Sequence, residues 1–179
     1  TGLSDGVSYT VYVIGKNSAG RWQSDAEPAV SRTWTVDLGA GLADGDVVIN
    51  EVLAHSNAAP YFDWVELHNA TNVGIDIGGW FLSDSISNLM KYQIAEGTVL
   101  AANGYIVLRE DTHFGPGSSD PGSYVPFALS ENGETLYLSS GVPGELTLTD
   151  YREKEDFGAS APDVAFGRYY KASTDTWNF

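Results

Sequence analysis

Two acids, Glu51 and Glu66, sit inside short β-branched runs: Val47-Val48-Ile49-Asn50-Glu51-Val52 and Asp63-Trp64-Val65-Glu66-Leu67-His68-Asn69. Two carboxylates about 5 to 10 Å apart are what glycoside hydrolysis requires, one as acid and the other as base or nucleophile. Of the acids here, these two make the best pair for that chemistry. A structural use competes with it. An unpaired buried carboxylate is costly, so an acid inside a strand is expected to accept backbone or Trp hydrogen bonds and lock its neighbours. The expectation is that both are structural acids. Glu51 in particular is expected to be buried and hydrogen-bonded, tying its strand to a neighbouring loop.

No other constellation meets the requirements of a catalytic centre. His55, His68 and His113 share no ligand spacing with one another or with a cysteine, and the chain has no cysteine. A lone strand histidine such as His68, on the same face as Glu66 by alternation, reads as a structural, partly exposed residue. The run Gly115-Pro116-Gly117-Ser118-Ser119-Asp120-Pro121-Gly122 lacks the strand-to-helix setting of a nucleophile elbow and the lysine of a phosphate loop, and reads as a flexible surface loop. Calcium takes oxygen ligands. Its candidates are Asp44 and Asp46, Asp84 with Asn88, and the acids Asp150, Glu153, Glu155 and Asp156. None fits the twelve-residue calcium loop, so no cofactor is expected unless loops join to bind calcium, with Asp44, Asp46 and Asp84 as the metal candidates. Tyr169 and Tyr170 are adjacent on a strand-like segment, so their rings point to opposite faces, one of them to solvent. With Tyr61, in a loop-like context beside Phe62 as Trp22 is in its own, they are the candidate aromatics for stacking on a ligand such as a sugar.

These residues need a scaffold, and the composition points to β-structure. Twenty Gly and seven Pro punctuate short apolar runs rich in aromatics, and no clean helical period of 10 to 15 residues occurs. Ser85-Ile86-Ser87-Asn88-Leu89-Met90-Lys91-Tyr92-Gln93 is too short and polar for a helix. Apolar runs stay well below the ~20 residues of a membrane helix. The net charge of −15 falls entirely in residues 37–179, with 21 acids against six bases, while residues 1–36 are neutral. Such a surface repels phosphate backbones, which are bound by Lys and Arg that displace counterions. No nucleic-acid partner is expected; the charge suits solubility, cations or basic partners.

An ordered set of motifs gives these elements a family likeness. After the two acid-bearing strands come Ile75-Asp76-Ile77-Gly78-Gly79-Trp80-Phe81-Leu82-Ser83-Asp84, then Tyr92-Gln93-Ile94. Next are Thr98-Val99-Leu100-Ala101-Ala102-Asn103-Gly104-Tyr105-Ile106-Val107-Leu108 and Leu129-Ser130-Glu131-Asn132-Gly133-Glu134-Thr135-Leu136-Tyr137-Leu138, which looks like a central hairpin. Phe166-Gly167-Arg168-Tyr169 and Asp175-Thr176-Trp177-Asn178-Phe179 close the series. Together, residues 45–179 resemble the lamin tail domain. The resemblance implies an all-β, immunoglobulin-like antiparallel β-sandwich that serves as a binding and structural module without catalysis. DNA binding, sometimes expected of lamin tails, is opposed by the charge. The expected core is Val47, Ile49, Val65, Leu67, Ile77, Trp80, Leu82, Ile94, Val107, Leu136, Leu138 and Phe166, with a type I′ turn at Asn132-Gly133.

Residues 1–36 read differently. Leu3-Ser4-Asp5-Gly6-Val7-Ser8-Tyr9 resembles the corner before the sixth strand of a fibronectin type III domain, with Tyr9 in the place of a tyrosine corner. Tyr9-Thr10-Val11-Tyr12-Val13-Ile14 and the stretch 29–36 read as its last two strands, joined through a turn cluster at Asn17-Ser18-Ala19-Gly20. The expected organisation is a partial fibronectin type III hairpin over 1–36, a linker over 37–44 and the sandwich over 45–179, cut from something larger. The Tyr9, Val11 and Val13 face of a lone hairpin needs cover, by docking or by self-association. The two domain types in series imply an extracellular or cell-surface, non-catalytic binding or spacer module of a bacterial multidomain protein, with a protein or polysaccharide partner. The alternative is an accessory domain that targets a secreted enzyme to its substrate.

Overall fold

The computed structural model describes residues 8–13, 15–22, 30–35, 41–57 and 62–179. They fall in two compact units, Thr1–Leu42 and Ala43–Phe179. In the first, β1 (Ser8–Val13) and β2 (Val30–Thr35) form an antiparallel ladder from Ser8 opposite Thr35 to Val13 opposite Val30. The turn cluster forms as its residue types dictate. Gly20 N–H donates to Asn17 O at 2.9 Å, Asn17 Oδ1 accepts from Ala19 and Arg21 N–H, and Gly20 takes a left-handed φ of 79°. The corner expected at Leu3-Ser4-Asp5-Gly6-Val7, and the side chains of Tyr9, Val11 and Val13, lie outside the described residues.

The second unit is an immunoglobulin-like sandwich in which every strand pairing is antiparallel. One sheet orders β12 (Phe166–Gly167), β3 (Val47–Leu53), β4 (Trp64–Asn69) and β9 (Tyr105–Arg109). The other orders β11 (Leu148–Phe157), β10 (Glu134–Gly141), β6 (Phe81–Ser83) and β7 (Tyr92–Gln93). Two short pairs flank them: β5 (Ile75–Asp76) with β8 (Val99–Leu100), and β13 (Tyr169–Lys171) with β14 (Thr176–Asn178). A single π-helical turn, Glu110–Phe114, follows β9.

Alternation puts Val65, Leu67 and Asn69 on the inner face of β4, and Leu136 and Leu138 on that of β10, all of them fully buried. Removing each large aliphatic side chain from water contributes about 1.5 to 3 kcal/mol. The Gly78-Gly79 kink places Trp80 in the core. Gly79 has a φ of 84°, Trp80 N–H donates to Ile77 O at 3.1 Å, and a Cβ on Gly79 would overlap the Pro143 backbone.

Three expectations need correction. Val107 is exposed, and Leu108 is buried in its place. Cross-strand partners share a face, and β9 sets Leu108 opposite Val65 and Val107 opposite Glu66, so a shift of one residue exchanges the two. Phe166 is only half-buried, because β12 is a two-residue edge strand. The Asn132-Gly133 pair is not a type I′ hairpin turn. Gly133 N–H donates to Ser130 O at 2.9 Å, and of the two residues only Gly133, at 90°, has a positive φ. This turn leads into β10, and the true central hairpin joins β10 to β11.

Residues between strands complete the core. Phe114 and Phe127 stack with ring centroids 4.8 Å apart, both buried. The segment 115–122 is tied down by local hydrogen bonds: Ser118 Oγ accepts from Asp120 N–H, Asp120 Oδ1 accepts from Gly122 N–H, and Gly122 O accepts from Gln93 N–H.

Candidate ligand-binding groove

The outer face of the first sheet carries a transverse row in which Val48 lies opposite His68 and His68 opposite Tyr105. These are the positions that alternate with the buried Ile49, Leu67 and Leu108. The row lies in a groove of about 590 Å³, to which Arg168 and Trp177 contribute from the segment spanning β12 to β14. Asp44 and Asn50 line it as well.

Neighbouring groups hold each wall. The His68 and Tyr105 rings stack with centroids 4.2 Å apart at 15°. His68 Nδ1 sits 3.1 Å from Gly104 O. A carbonyl can only accept, so Nδ1 carries the proton, and in the neutral ring Nε2 presents a lone pair. Arg168 N–H donates to Asn50 O at 2.8 Å, and its guanidinium lies 3.3 Å from Glu153 Oε1 and 5.5 Å from the Trp177 ring centroid. Tyr170, opposite Trp177 in the β13–β14 ladder, meets that indole edge to face at 5.6 Å. Tyr105 and Trp177 remain 57% and 61% exposed. Glu153, beneath Arg168, is largely shielded from solvent. Burial pushes its carboxyl up to about 7; Arg168 opposes that shift, and Glu155 and Asp44 add to it.

The residues singled out in the sequence fall mostly elsewhere. Glu51 and Glu66 are cross-strand partners, so the two acids do meet on one face. Glu66 Oε1 accepts from Asn50 Nδ2 at 2.7 Å. Glu51 departs from expectation: it is only partly buried, and its carboxylate makes no hydrogen bond among the described residues. Desolvation, followed by repulsion from Glu66, raises its pKa. The reason is geometric. The bulge between Ile49 and Glu51 brings Asn50, not Glu51, to the Glu66 carboxylate. Neither acid lines the groove.

Tyr169 and Tyr170 are both exposed. The Tyr170 hydroxyl bonds the Asp175 carboxylate. Tyr61 lies outside the described residues. Phe62 lies under the Arg109 guanidinium and Trp22 under Lys16. Asp46 Oδ2 accepts from Ala43 N–H at 2.7 Å. Asp84 Oδ1 is 2.5 Å from Lys91 Nζ, an ion pair without hydrogen-bond alignment. Among the described residues, no three His, Cys, Asp or Glu side chains converge as a metal site. His55 Nε2 faces Glu131 Oε2 at 3.3 Å, and His113 Nδ1 accepts from Arg109 N–H at 3.0 Å. Sequence reasoning missed Tyr105, Trp177, Arg168 and Asn50. The one signal available was the outward register of Tyr105, since nothing local in the sequence brings residue 177 to residue 105.

The family model described as Lamin Tail Domain matches residues 42–152. The chain belongs to the lamin tail domain family. No curated protein and no solved structure gives a significant match. The lamin tail sandwich is a non-catalytic fold, and the groove offers stacking and hydrogen-bonding groups. Arg168 and Trp177 lie beyond the matched residues, so one wall of this lamin tail groove comes from the segment that follows them.

Proposed function

We propose that this lamin tail domain is an extracellular or cell-surface binding module, or spacer, of a bacterial multidomain protein, and that its partner is a protein or a polysaccharide. The observation that supports this reading is the groove: two exposed aromatic rings, each fixed by neighbours, beside polar groups, on a fold of a non-catalytic family. The antiparallel β1–β2 ladder, which precedes the sandwich in the sequence, fits the last strands of a fibronectin type III unit, a second spacer fold in series. The field set by a net charge of −15 favours neutral or basic partners and disfavours nucleic acid.

Retention measurements test the reading. The tagged protein is incubated with insoluble polysaccharides, cell-wall sacculi and immobilised surface-protein extracts, and assayed in parallel with chromogenic ester, glycoside and phosphate substrates. Saturable retention without turnover is expected. Turnover sinks the non-catalytic module, and retention on none of the supports sinks the binding role. A targeting domain of a secreted enzyme differs in one result: retention follows the polysaccharide that the enzyme cleaves.

A further inference from the structure

The groove on the outer face of the β3–β4–β9 sheet is a saccharide site: we infer that it takes neutral pyranose chains whose rings present flat C–H faces, the β-1,4-linked glucose or N-acetylglucosamine type, with Tyr105 and Trp177 as the stacking platforms. This rests on the binding-module reading and adds the ligand class and the residues.

Three features carry it. The first is the state of the aromatics. One face of Tyr105 is covered by His68 at 4.2 Å, yet 57% of the residue remains exposed, which leaves the opposite face to solvent. Trp177 is held by Arg168 and Tyr170 and is 61% exposed. Rings already fixed by their neighbours lose little conformational freedom when a ligand lands on them, and an amphipathic ring suits a ligand with apolar faces and polar edges.

The second is the polar set. A pyranose stacked on such a ring directs its hydroxyls sideways, and these need both donors and acceptors. The Asp44 carboxylate accepts and the Arg168 guanidinium donates, while His68, with Nδ1 on Gly104 O, turns Nε2 to the groove. Asn50 directs Nδ2 to Glu66, and its Oδ1 accepts no hydrogen bond among the described residues. Polar groups placed among aromatic rings fix the orientation of a small ligand.

The third is charge. With 21 acids against six bases in residues 37–179, uronate or sulfated chains are repelled. A peptide that adds itself as a strand pairs along a sheet edge, whereas this groove lies on the face of the sheet, across the side chains of Val48, His68 and Tyr105.

The test is calorimetric titration of the 179-residue protein with cellohexaose and with chitohexaose, alongside a basic and an acidic decapeptide. Binding of at least one hexasaccharide is expected, with quenching of Trp fluorescence that Trp177→Phe reduces. Tyr105→Ala and Trp177→Ala are each expected to weaken binding at least about tenfold, while Val99→Ala, an exposed position outside the groove, leaves it unchanged. Melting curves show whether the variants stay folded, as their exposed positions predict. Hexasaccharide binding that survives in the Tyr105→Ala/Trp177→Ala double variant overturns the groove and leaves the module reading intact. No hexasaccharide binding by the parent up to about 5 mM, or peptide binding lost in the double variant, overturns the saccharide assignment.

Discussion

The Tyr151 hydroxyl donates to Val47 O at 2.7 Å and accepts from Val47 N–H at 3.1 Å, across the sandwich from β11 to β3. β12 pairs only with Glu51 and Val52, so its ladder ends before Val47, and the phenol stands in for the missing strand. The tilted Tyr151 and Trp80 rings, with centroids 5.0 Å apart, fix its approach. Burial pushes the Tyr151 hydroxyl up to about 12, so it remains a donor at all working pH values. Tyr151→Phe keeps the ring and strands both backbone groups of a fully buried residue. The expected loss is about 1 to 3 kcal/mol, read by urea unfolding. A loss within a few tenths of a kcal/mol would show that the sheets do not depend on this pair.

Asn69 makes a larger prediction. It is fully buried. Nδ2 donates to Val73 O at 2.7 Å and lies 3.0 Å from Leu100 O and Ala101 O, while Oδ1 accepts from Thr71 N–H and Oγ1. One amide thus joins β4, the turn after it and the segment following β8. Asn69→Asp turns donors into a carboxylate facing three carbonyl oxygens. The expected cost is about 3 kcal/mol or more, partly recovered at acid pH as the carboxyl protonates. Denaturant midpoints at pH 4.5 and pH 8 provide the check; equal losses at both would contradict the charge argument.

The contrast between Asn69 and the strands around it shows what the sequence displays. Alternating apolar residues in β4, the Gly78-Gly79 kink and the Asn17–Gly20 turn are local signals, and each is read from its own window. In Ile106-Val107-Leu108 three apolar residues run together, so alternation is silent and only pairing with β4 decides that Leu108 faces inward. Asn69 looks like any polar strand end until the turn after β4 and the chain at Leu100-Ala101 converge on it. Val48 and Tyr105 flank His68 through strand pairing, and Trp177 joins them from a distant part of the chain. The groove is therefore a product of topology, which short-range patterns do not encode.

Glu51 reverses the usual expectation for an acid in a strand. It faces Glu66 across the ladder, without a hydrogen-bond partner among the described residues, and its raised pKa reports the burden. Like charges directly opposite one another are destabilising by roughly 0.2 to 1 kcal/mol. Glu51→Gln is expected to raise stability by about that amount at pH 8 and to lose the advantage near pH 4, where the carboxyl is protonated. Glu66→Gln relieves the same repulsion but perturbs the Asn50 contact, so its gain is expected to be smaller. Thermal melts of both variants at the two pH values decide it, and destabilisation by Glu51→Gln at pH 8 would refute the repulsion.

Glu153 and Asp63 set the direction of the pH dependence. Burial is the leading cause for both, raising Glu153 from 4.5 to about 7 and Asp63 from 3.8 to about 6. A carboxyl with a raised folded-state pKa binds its proton more tightly in the folded protein than in the unfolded chain. Its contribution is fully present below the unfolded pKa and is lost as pH rises through the folded value. The domain is therefore expected to gain stability as pH falls from 8 to 5, opposite to a protein held by paired carboxylates. Relief of the net charge of −15 acts in the same direction. A rise of at least about 4 °C in Tm is expected over that interval, since about 1 kcal/mol moves a domain of this size by ~2 to 4 °C. Glu153→Gln isolates the larger share: it raises Tm at pH 8 and flattens the slope between pH 8 and 6, whereas Asp63→Asn flattens it between pH 7 and 5. A parent whose Tm falls on acidification from pH 8 to 5, or a Glu153→Gln variant with the parent's slope, would show that the Arg168 ion pair outweighs the burial of Glu153.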